Sequence, residues 1–221
     1  MSSNLSFKEL MQQRHSARCF LSKPIPEDIL KDIIQTSLAS PSWCNSQAWT
    51  LYISSGKVQE KIREEWIAKN KEGIKGYADI SPGHRTDCSE RCQNSMKGFF
   101  GDFQEFLKDP DTKLLWEANF SLYNAPTIVY LTVPKKRTNY SLLDIGAIEM
   151  AILLAAKDHG IDSIPAYEAI KYPDILRKHL NIPEDEDIYV GISLGYADKE
   201  NPLNKYQAKR LTLEEACHFY S

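Results

Sequence analysis

Two apolar stretches decide the fold: TIVYLTV at residues 127–133 and LLDIGAIEMAILLAAK at residues 142–157. The first is rich in β-branched residues and has little polarity, which predicts a central, buried strand. The second is apolar on nearly every side, and small residues such as Gly146 and Ala151 allow a neighbour to approach closely. This pattern predicts a helix that is buried all round. Gly160 then stands where a left-handed C-terminal cap is expected.

Working outward from this pair, apolar periodicity predicts further helices and strands in a mixed order. Helices are predicted at residues 5–13, 26–38 and 173–179. Two more helices are predicted, one with Val58, Ile62 and Trp66 on one face and one in the aromatic-rich segment from Met96 to Phe106. Strands are predicted at residues 49–53, 161–164 and 187–194. The order does not follow regular βαβ units, so it predicts an α+β fold. Residues 201–221 are polar and then weakly helical, and have no core of their own.

Composition excludes several classes of protein. The chain has 221 residues, which is the length of one large domain, and its 27 Lys and Arg nearly balance 30 Asp and Glu, a net charge of −3. A nucleic-acid-binding domain would be basic, so that partner is not expected. The most apolar segment, residues 145–156, is too short to cross a bilayer, so no membrane is expected. Five cysteines without a visible export signal indicate reduced thiols and a cytoplasmic location.

Familiar catalytic motifs are missing from the sequence. It has neither a glycine-rich phosphate loop of the Walker or Rossmann type nor a Gly-x-Ser-x-Gly nucleophile elbow. Two alternatives for the cysteines stay open. Cys88-x3-Cys92 with His84 nearby is a faint metal signal, and Cys44 is a candidate nucleophile for which the sequence shows no identifiable base.

Three clusters carry the remaining chemical signal. Residues 14–18, Arg-His-Ser-Ala-Arg, hold two guanidiniums and a hydroxyl that can grip a phosphate. Residues 40–49 join small hydrogen-bonding side chains to two indoles, a composition suited to a planar polar ligand. Lys209 and Arg210 in the tail form a second possible phosphate clamp. Spacing alone does not connect these clusters, and each also fits an ordinary solvated turn or capped loop.

The order of the motifs resembles the nitroreductase family of FMN-dependent oxidoreductases. The resemblance runs from RHSARCF (14–20) through SPSWCNSQAW (40–49), the apolar helix, GIDSIP (160–165) and GISLGY (191–196) to NKYQAKR (204–210). It covers nearly the whole chain and is closest to the branch of nitrobenzoate and nitrophenol reductases. Ala48 departs from the family pattern, which has proline there.

The resemblance implies an architecture. In the family, one domain (here residues 1–221) builds a mainly antiparallel sheet flanked by helices, and two chains form an intertwined homodimer with FMN at the subunit interface. Residues 201–221 would then cross onto the partner, and residues 71–118 would form a lid-like insertion. The apolar helix would be the central dimer helix.

The resemblance also implies roles for named residues. Arg14, His15, Ser16 and Arg18 match the first FMN motif: Arg14 and Ser16 would hold the phosphate and ribityl chain, and Arg18 would stand beside the pyrimidine edge of the flavin. Arg210, with Lys209, matches the tail clamp on the phosphate. The loop that approaches FMN from the other subunit corresponds to Pro41, Ser42, Trp43 and Asn45. The loop against the isoalloxazine corresponds to Ile164, Pro165, Ala166, Tyr167 and Glu168.

The implied function is transfer of hydride from NADH or NADPH, through flavin N5, to an electron-poor acceptor such as a nitroaromatic or a quinone. No catalytic side chain is required, because the cofactor carries the chemistry. Two alternatives stay open: another FMN reaction on the same scaffold, such as reductive dehalogenation or enone reduction, and a flavin-binding protein without turnover.

Overall fold

The computed structural model describes residues 5–221, and the interpretation of residues 1–4 as lacking an export signal lies outside this range. Over the described residues, the α-helices are α1 (Phe7–Gln13), α2 (Glu27–Ser37), α3 (Gly56–Lys71), α4 (Glu90–Leu107), α5 (Lys113–Phe120), α6 (Asn139–Asp158), α7 (Pro173–Leu180) and α8 (Leu213–Ala216). The strands are β1 (Thr50–Ser55), β2 (Thr127–Pro134), β3 (Asp162–Ala166) and β4 (Glu186–Gly195).

The four strands form one sheet in the order β1-β2-β4-β3, and each neighbouring pair is antiparallel. Strand β2 is central, and its residues are buried from Thr127 to Val133. The predicted central strand and the α+β fold class are therefore confirmed. Strand β1 forms one edge of the sheet.

Helices cover both faces of the sheet. On one face, Ile62 and Trp66 of α3 pack with Tyr172 and Ile175, and the rings of Trp66 and Tyr172 meet edge to face at 4.9 Å. On the other face, α2 and α6 pack against the sheet through apolar side chains that include Ile33, Ile145, Ile148 and Ile152. The result is a helix–sheet–helix sandwich.

Helix α6 differs from its predicted environment. Ile145, Ile148 and Ile152 are buried against the sheet, but Leu143 on the opposite side is 68% exposed. The prediction of burial on every side is thus wrong for the single chain, because one sheet covers only one side of a helix. The 20-residue helix is long and apolar enough to cross a membrane, unlike the shorter stretch considered from sequence, but its buried side packs in the core of this fold.

The start of α3 also corrects the sequence interpretation. The strand was expected to end before Ser54, yet β1 continues to Ser55 and α3 begins at the next residue, Gly56, whose φ is 53°. Val58 was expected on the buried face but is exposed, and Gln59 is buried instead. The hydroxyl of Ser54 donates a 2.5 Å hydrogen bond to Oε1 of Gln59. A buried side-chain hydrogen bond therefore sets the rotation of the helix here.

The segment at residues 71–118 has two parts. The first part is attached to the core: the N–H of Tyr77 donates to the carbonyl of Lys171 at 2.9 Å, and Asp79 pairs with Arg177 at 3.0 Å and accepts from the N–H of Ile188 at 2.9 Å. The second part contains α4, which confirms the predicted aromatic-rich helix, and α5, which was not predicted. Phe103 of α4 packs on the chain after β4.

Candidate active site

Arg14 and Arg210 stand near opposite ends of the chain and interact electrostatically. Arg14 follows α1, and Arg210 lies in the extended segment after the 3-10 turn Pro202–Asn204. Burial lowers the pKa of Arg14, and the positive charge of Arg210 lowers that pKa further, whereas Glu149 of α6 acts in the opposite direction. Two guanidiniums that act on each other electrostatically create a positive potential that favours an anion, and arginine binds phosphate through paired hydrogen bonds.

Backbone pairing joins the first predicted motif to the start of β3. Ser16 forms a parallel bridge with Ser163, and the N–H of Ala17 donates to the carbonyl of Ser163 at 3.0 Å. Residues 14–18 thus run along the free side of β3. Because the two segments run parallel from the Ser16–Ser163 bridge, Arg18 lies toward residues 164–168 and Arg14 lies toward the residues that precede β3.

Arg18 is held by the tail and by α4. Its backbone N–H donates to Oδ1 of Asn204 at 2.6 Å, and its guanidinium donates to the carbonyl of Ser16 at 3.1 Å. The same guanidinium lies 5.2 Å from the centre of the Phe103 ring. Burial lowers the pKa of Arg18. Within residues 5–221, no carboxylate lies at ion-pair distance from this side chain.

The loop at residues 41–47 is organised by α6. Asp144 of α6 accepts the N–H of Trp43 with both carboxylate oxygens at 3.1 Å, and it accepts the hydroxyl of Ser46 at 3.2 Å. Three residues of the loop, Cys44, Asn45 and Gln47, adopt positive φ values. Because this conformation is unfavourable for residues other than glycine, the buried Asp144 holds the loop in a defined shape. Trp43 stacks on Tyr140 at 5.4 Å and keeps half of its surface exposed, and Pro41 is exposed as well.

The segment after β3 presents one side chain to solvent. Ile164 and Ala166 are buried in the pairing with β4, whereas Tyr167 is 42% exposed. Glu168 forms an ion pair with Lys171 and therefore turns toward the core. Gly191 makes this turn possible, because a Cβ there would lie 2.6 Å from the Cβ of Ala169.

Two other predicted residues, Lys209 and His15, have partners outside the pair of cations formed by Arg14 and Arg210. Lys209 lies 2.8 Å from Asp102 of α4, so its ammonium points toward the insertion. Nδ1 of His15 lies 3.1 Å from the carbonyl of Gln13. The structure therefore brings Arg14 and Arg210 together and places Lys209 beside them, in contact with another helix.

All five cysteines lie within residues 5–221 and are free thiols. Cys88 and Cys92 are exposed, and Cys92 accepts a 3.2 Å hydrogen bond from the Ser89 hydroxyl. Across residues 5–221, no group of three or more His, Cys, Asp or Glu side chains is arranged to hold a metal ion. Cys44 is exposed on the loop that Asp144 organises.

Four residues at this site were not assigned a role from sequence: Asp144, Glu149, Asn204 and Phe103. Asp144 and Glu149 do carry a signal, because a charged residue inside an apolar helix needs a partner. Asn204 has no comparable local signal, since its partners Arg18 and Cys19 lie 186 and 185 residues away. Phe103 belongs to the predicted aromatic-rich helix, but the sequence does not distinguish which ring of that helix contacts Arg18.

Comparison with known proteins agrees with this geometry. A sequence profile described as Nitroreductase family matches residues 11–196. The chain is 29% identical over 217 residues to the chloronitrobenzene nitroreductase of Comamonas testosteroni, which covers 96% of this chain and 95% of that protein. It is 24% identical over 215 residues to the 4-nitrobenzoate reductase of Pseudomonas putida, with the same coverage of 96% and 95%.

A solved structure has the same fold over nearly its whole length. The FMN-dependent nitroreductase NfnB from Mycobacterium smegmatis, in complex with NADPH, superposes with a TM-score of 0.89 and 25% identity, and 97% of each chain is covered. The resemblance to the branch of nitrobenzoate reductases is thus confirmed. Because the profile matches most of the sequence and the α+β sandwich is shared, this chain belongs to the nitroreductase family.

Proposed function

We propose that this protein is an FMN-dependent oxidoreductase that moves hydride from NADH or NADPH to an electron-poor acceptor such as a nitroaromatic or a quinone. The observation that carries the proposal is the electrostatic interaction of Arg14 with Arg210, in the segment that Ser16 joins to the start of β3. The donor set fits the cofactor: two cations suit a phosphate, and the exposed Tyr167 and the backbone of residues 164–168 suit a planar ring. The relatives named above, which reduce nitroaromatics, support the same acceptor class.

When bound, FMN supplies the hydride chemistry through its N5 atom. The side chains of this protein bind the cofactor and orient it. Arg14 and Ser16 hold the phosphate and ribityl chain. Arg210 and Lys209 from the tail add positive charge at the phosphate. His15 belongs to the same FMN-binding segment. Arg18 provides positive charge at the pyrimidine edge, where negative charge develops on reduction. Residues 164–168 pack on one face of the ring and exclude water.

The complete site needs two chains. Pro41, Ser42, Trp43 and Asn45 lie on a loop whose contacts run to α6, and they reach the cofactor of the other subunit. The uncovered side of α6, with Tyr140 and Leu143 exposed, supports α6 as the centre of a homodimer. An apolar surface of this kind on a core helix is characteristic of a subunit interface.

The tail supports an intertwined arrangement. Phe219 and Tyr220 are 81% and 93% exposed, so they bury little on their own chain. Strand β1 is a sheet edge, and beside it α2 forms a groove of about 760 Å³ lined by Leu30, Ile34 and Ile53. An uncovered edge strand with an apolar groove is a ready site for an added strand. Leu203 and Tyr206 of the predicted crossing tail are buried on their own chain, so the occupant that we propose for this groove is the later part of the tail, residues 211–221 of the partner.

The acceptor site lies under the insertion at residues 71–118. Between α4 and the tail there is a groove of about 680 Å³, lined by Phe99, Tyr206 and Arg210 among others. Because Phe103 of α4 contacts Arg18, the residue assigned to the edge of the flavin ring, α4 is placed to act as a lid on the acceptor. The enzyme works in the cytoplasm, an expectation that rests on its free cysteines.

The deciding experiment is reduction of the purified protein reconstituted with FMN. A yellow protein that NADH or NADPH bleaches without oxygen, and that 4-nitrobenzoate or a quinone then reoxidises, is the expected result. A protein that remains colourless after incubation with FMN contradicts the proposal. A flavoprotein that transfers hydride only to a halogenated aromatic or an enone contradicts the acceptor class, and one that NAD(P)H does not reduce contradicts enzyme function.

Assembly has a separate test in sedimentation. Leu143→Glu places a charge on the uncovered side of α6 and should convert a dimer into monomers with lower FMN affinity. Leu114→Glu, on α5, is the matched control and should stay dimeric. A wild-type protein that sediments as a monomer with FMN bound overturns the two-chain site.

A further inference from the structure

Arg18 carries a positive charge that its surroundings orient without neutralising. Its guanidinium contacts the carbonyl of Ser16 and the face of Phe103, and within residues 5–221 it forms no ion pair with a carboxylate. The phenols of Tyr123 and Tyr206 are the other groups that act on it electrostatically. Burial raises the pKa of both phenols above the ordinary value, so they stay neutral.

Phe103 is a rigid platform for this cation. It is fully buried, and its ring meets Tyr206 edge to face at 4.8 Å and Phe99 at 5.9 Å. The distance of 5.2 Å from its centre to the guanidinium carbon is within the range of a cation–π contact. A carboxylate in this place would hold the arginine equally well but would cancel most of its field. An aromatic face holds the cation and leaves its charge available.

The platform belongs to the insertion rather than to the sheet. Phe103 lies on α4, and the cluster around it consists of insertion and tail residues such as Leu203 and Tyr206. Asn204 of the same tail segment fixes the backbone of Arg18. The position of the guanidinium therefore depends on the packing of α4 against the tail.

We propose that Phe103 is a positioning residue that holds Arg18 at the flavin, so that the insertion helix sets how readily the bound cofactor is reduced. This inference rests on the proposed function, because it requires FMN beside Arg18. A cation near the pyrimidine edge stabilises the negative charge of the reduced ring and raises the reduction potential. Loss of the platform frees the guanidinium and lowers that potential.

The test is the reduction equilibrium of bound FMN, measured against a reference dye without oxygen. Phe103→Leu keeps an apolar side chain but removes the ring face, and it should shift the equilibrium about tenfold toward the oxidised form, about 30 mV for a two-electron couple. Phe106→Leu is the matched control, because Phe106 is on the same helix, is half exposed and contacts Tyr206 at 5.5 Å. Its equilibrium should equal that of the wild type.

A double-variant cycle separates positioning from general packing. Arg18→Met alone should lower the potential at least as much as Phe103→Leu, and adding Phe103→Leu to Arg18→Met should change nothing further. Additive shifts, or an unchanged potential in Phe103→Leu beside a lowered one in Arg18→Met, overturn the inference but leave the proposed function intact. Failure of the wild type to bind FMN overturns the proposed function itself. If Phe103→Leu does not fold, Phe103→Met, which is close in volume and more adaptable, takes its place in the cycle.

Discussion

The side-chain oxygen of Asn204 accepts a 2.6 Å hydrogen bond from the backbone N–H of Arg18, 186 residues earlier in the sequence. The amide of the same asparagine donates to the carbonyls of Cys19 and Asp198 at 2.7 and 2.8 Å. One buried side chain thus joins the first FMN motif, the end of the sheet and the start of the tail. Its removal should disturb all three.

Asn204→Ala should lower the free energy of unfolding by about 1–3 kcal/mol, because it leaves partly buried backbone groups of residues 18 and 19 without partners. Urea denaturation of the apoprotein measures this. Asn94→Ala, at an exposed position of α4, is the control and should stay within about 0.5 kcal/mol of the wild type. Equal stability of the two variants would show that water molecules replace the hydrogen bonds of the Asn204 side chain.

Arg14→Ala and Arg210→Ala should each weaken FMN binding by about 1.5–3 kcal/mol, the usual worth of a hydrogen bond to a charged group. That corresponds to a rise in Kd of about 10- to 100-fold, which fluorescence titration of the apoprotein measures. Lys209→Ala should have a smaller effect, because its ammonium pairs with Asp102. Unchanged FMN affinity in both arginine variants would exclude the phosphate clamp.

Gly191→Ala should lower the free energy of unfolding by about 1–3 kcal/mol, as overpacking of a filled site does. The added Cβ would lie 2.6 Å from the Cβ of Ala169 and 3.3 Å from Cε1 of Tyr130. Thermal denaturation measures the change. Gly101→Ala in α4 has open space around its Cβ and should instead stabilise the helix by up to about 1 kcal/mol. A Gly191→Ala protein as stable as the wild type would mean that the turn after β3 shifts to make room for the methyl group at little cost in free energy.

Glu149→Gln should stabilise the apoprotein at neutral pH and have no effect at pH values well below the ordinary pKa of the carboxyl. Burial raises the pKa of Glu149, and the opposing charge of Arg14 only partly offsets that rise. A carboxyl with a raised pKa in the folded state contributes stability below its unfolded pKa, and this contribution is lost as the pH rises through its folded pKa. Urea denaturation over a pH series measures the difference between the two proteins.

The matched control is Glu64→Gln, at an exposed position of α3, whose effect should not vary over the same pH range. A Glu149→Gln protein that is less stable than the wild type at neutral pH would mean that attraction to Arg14 outweighs the cost of burial.

Local pattern was sufficient for most of the elements. The strand at 127–133 and the helices at 27–37 and 173–180 follow from periodicity and from proline near their starts, because these signals act within a few residues. Prediction was wrong at Val58 and at the outer side of α6, where neighbours decide the environment. Ser54 selects Gln59 for burial through a hydrogen bond, and one sheet can cover only half of α6.

The sequence by itself determined the α+β class, the buried strand and helix, and the residue types able to grip a phosphate. Only the tertiary structure decided which of those residues meet. It brings Arg14 to Arg210, turns Lys209 to Asp102, and seats Arg18 between Asn204 and Phe103. The physical reason is that side-chain chemistry is a property of one residue, whereas electrostatic and hydrogen-bonding partners are set by distance in space. In this chain, the pairing of residues 14–18 with β3 and the path of the tail set those distances.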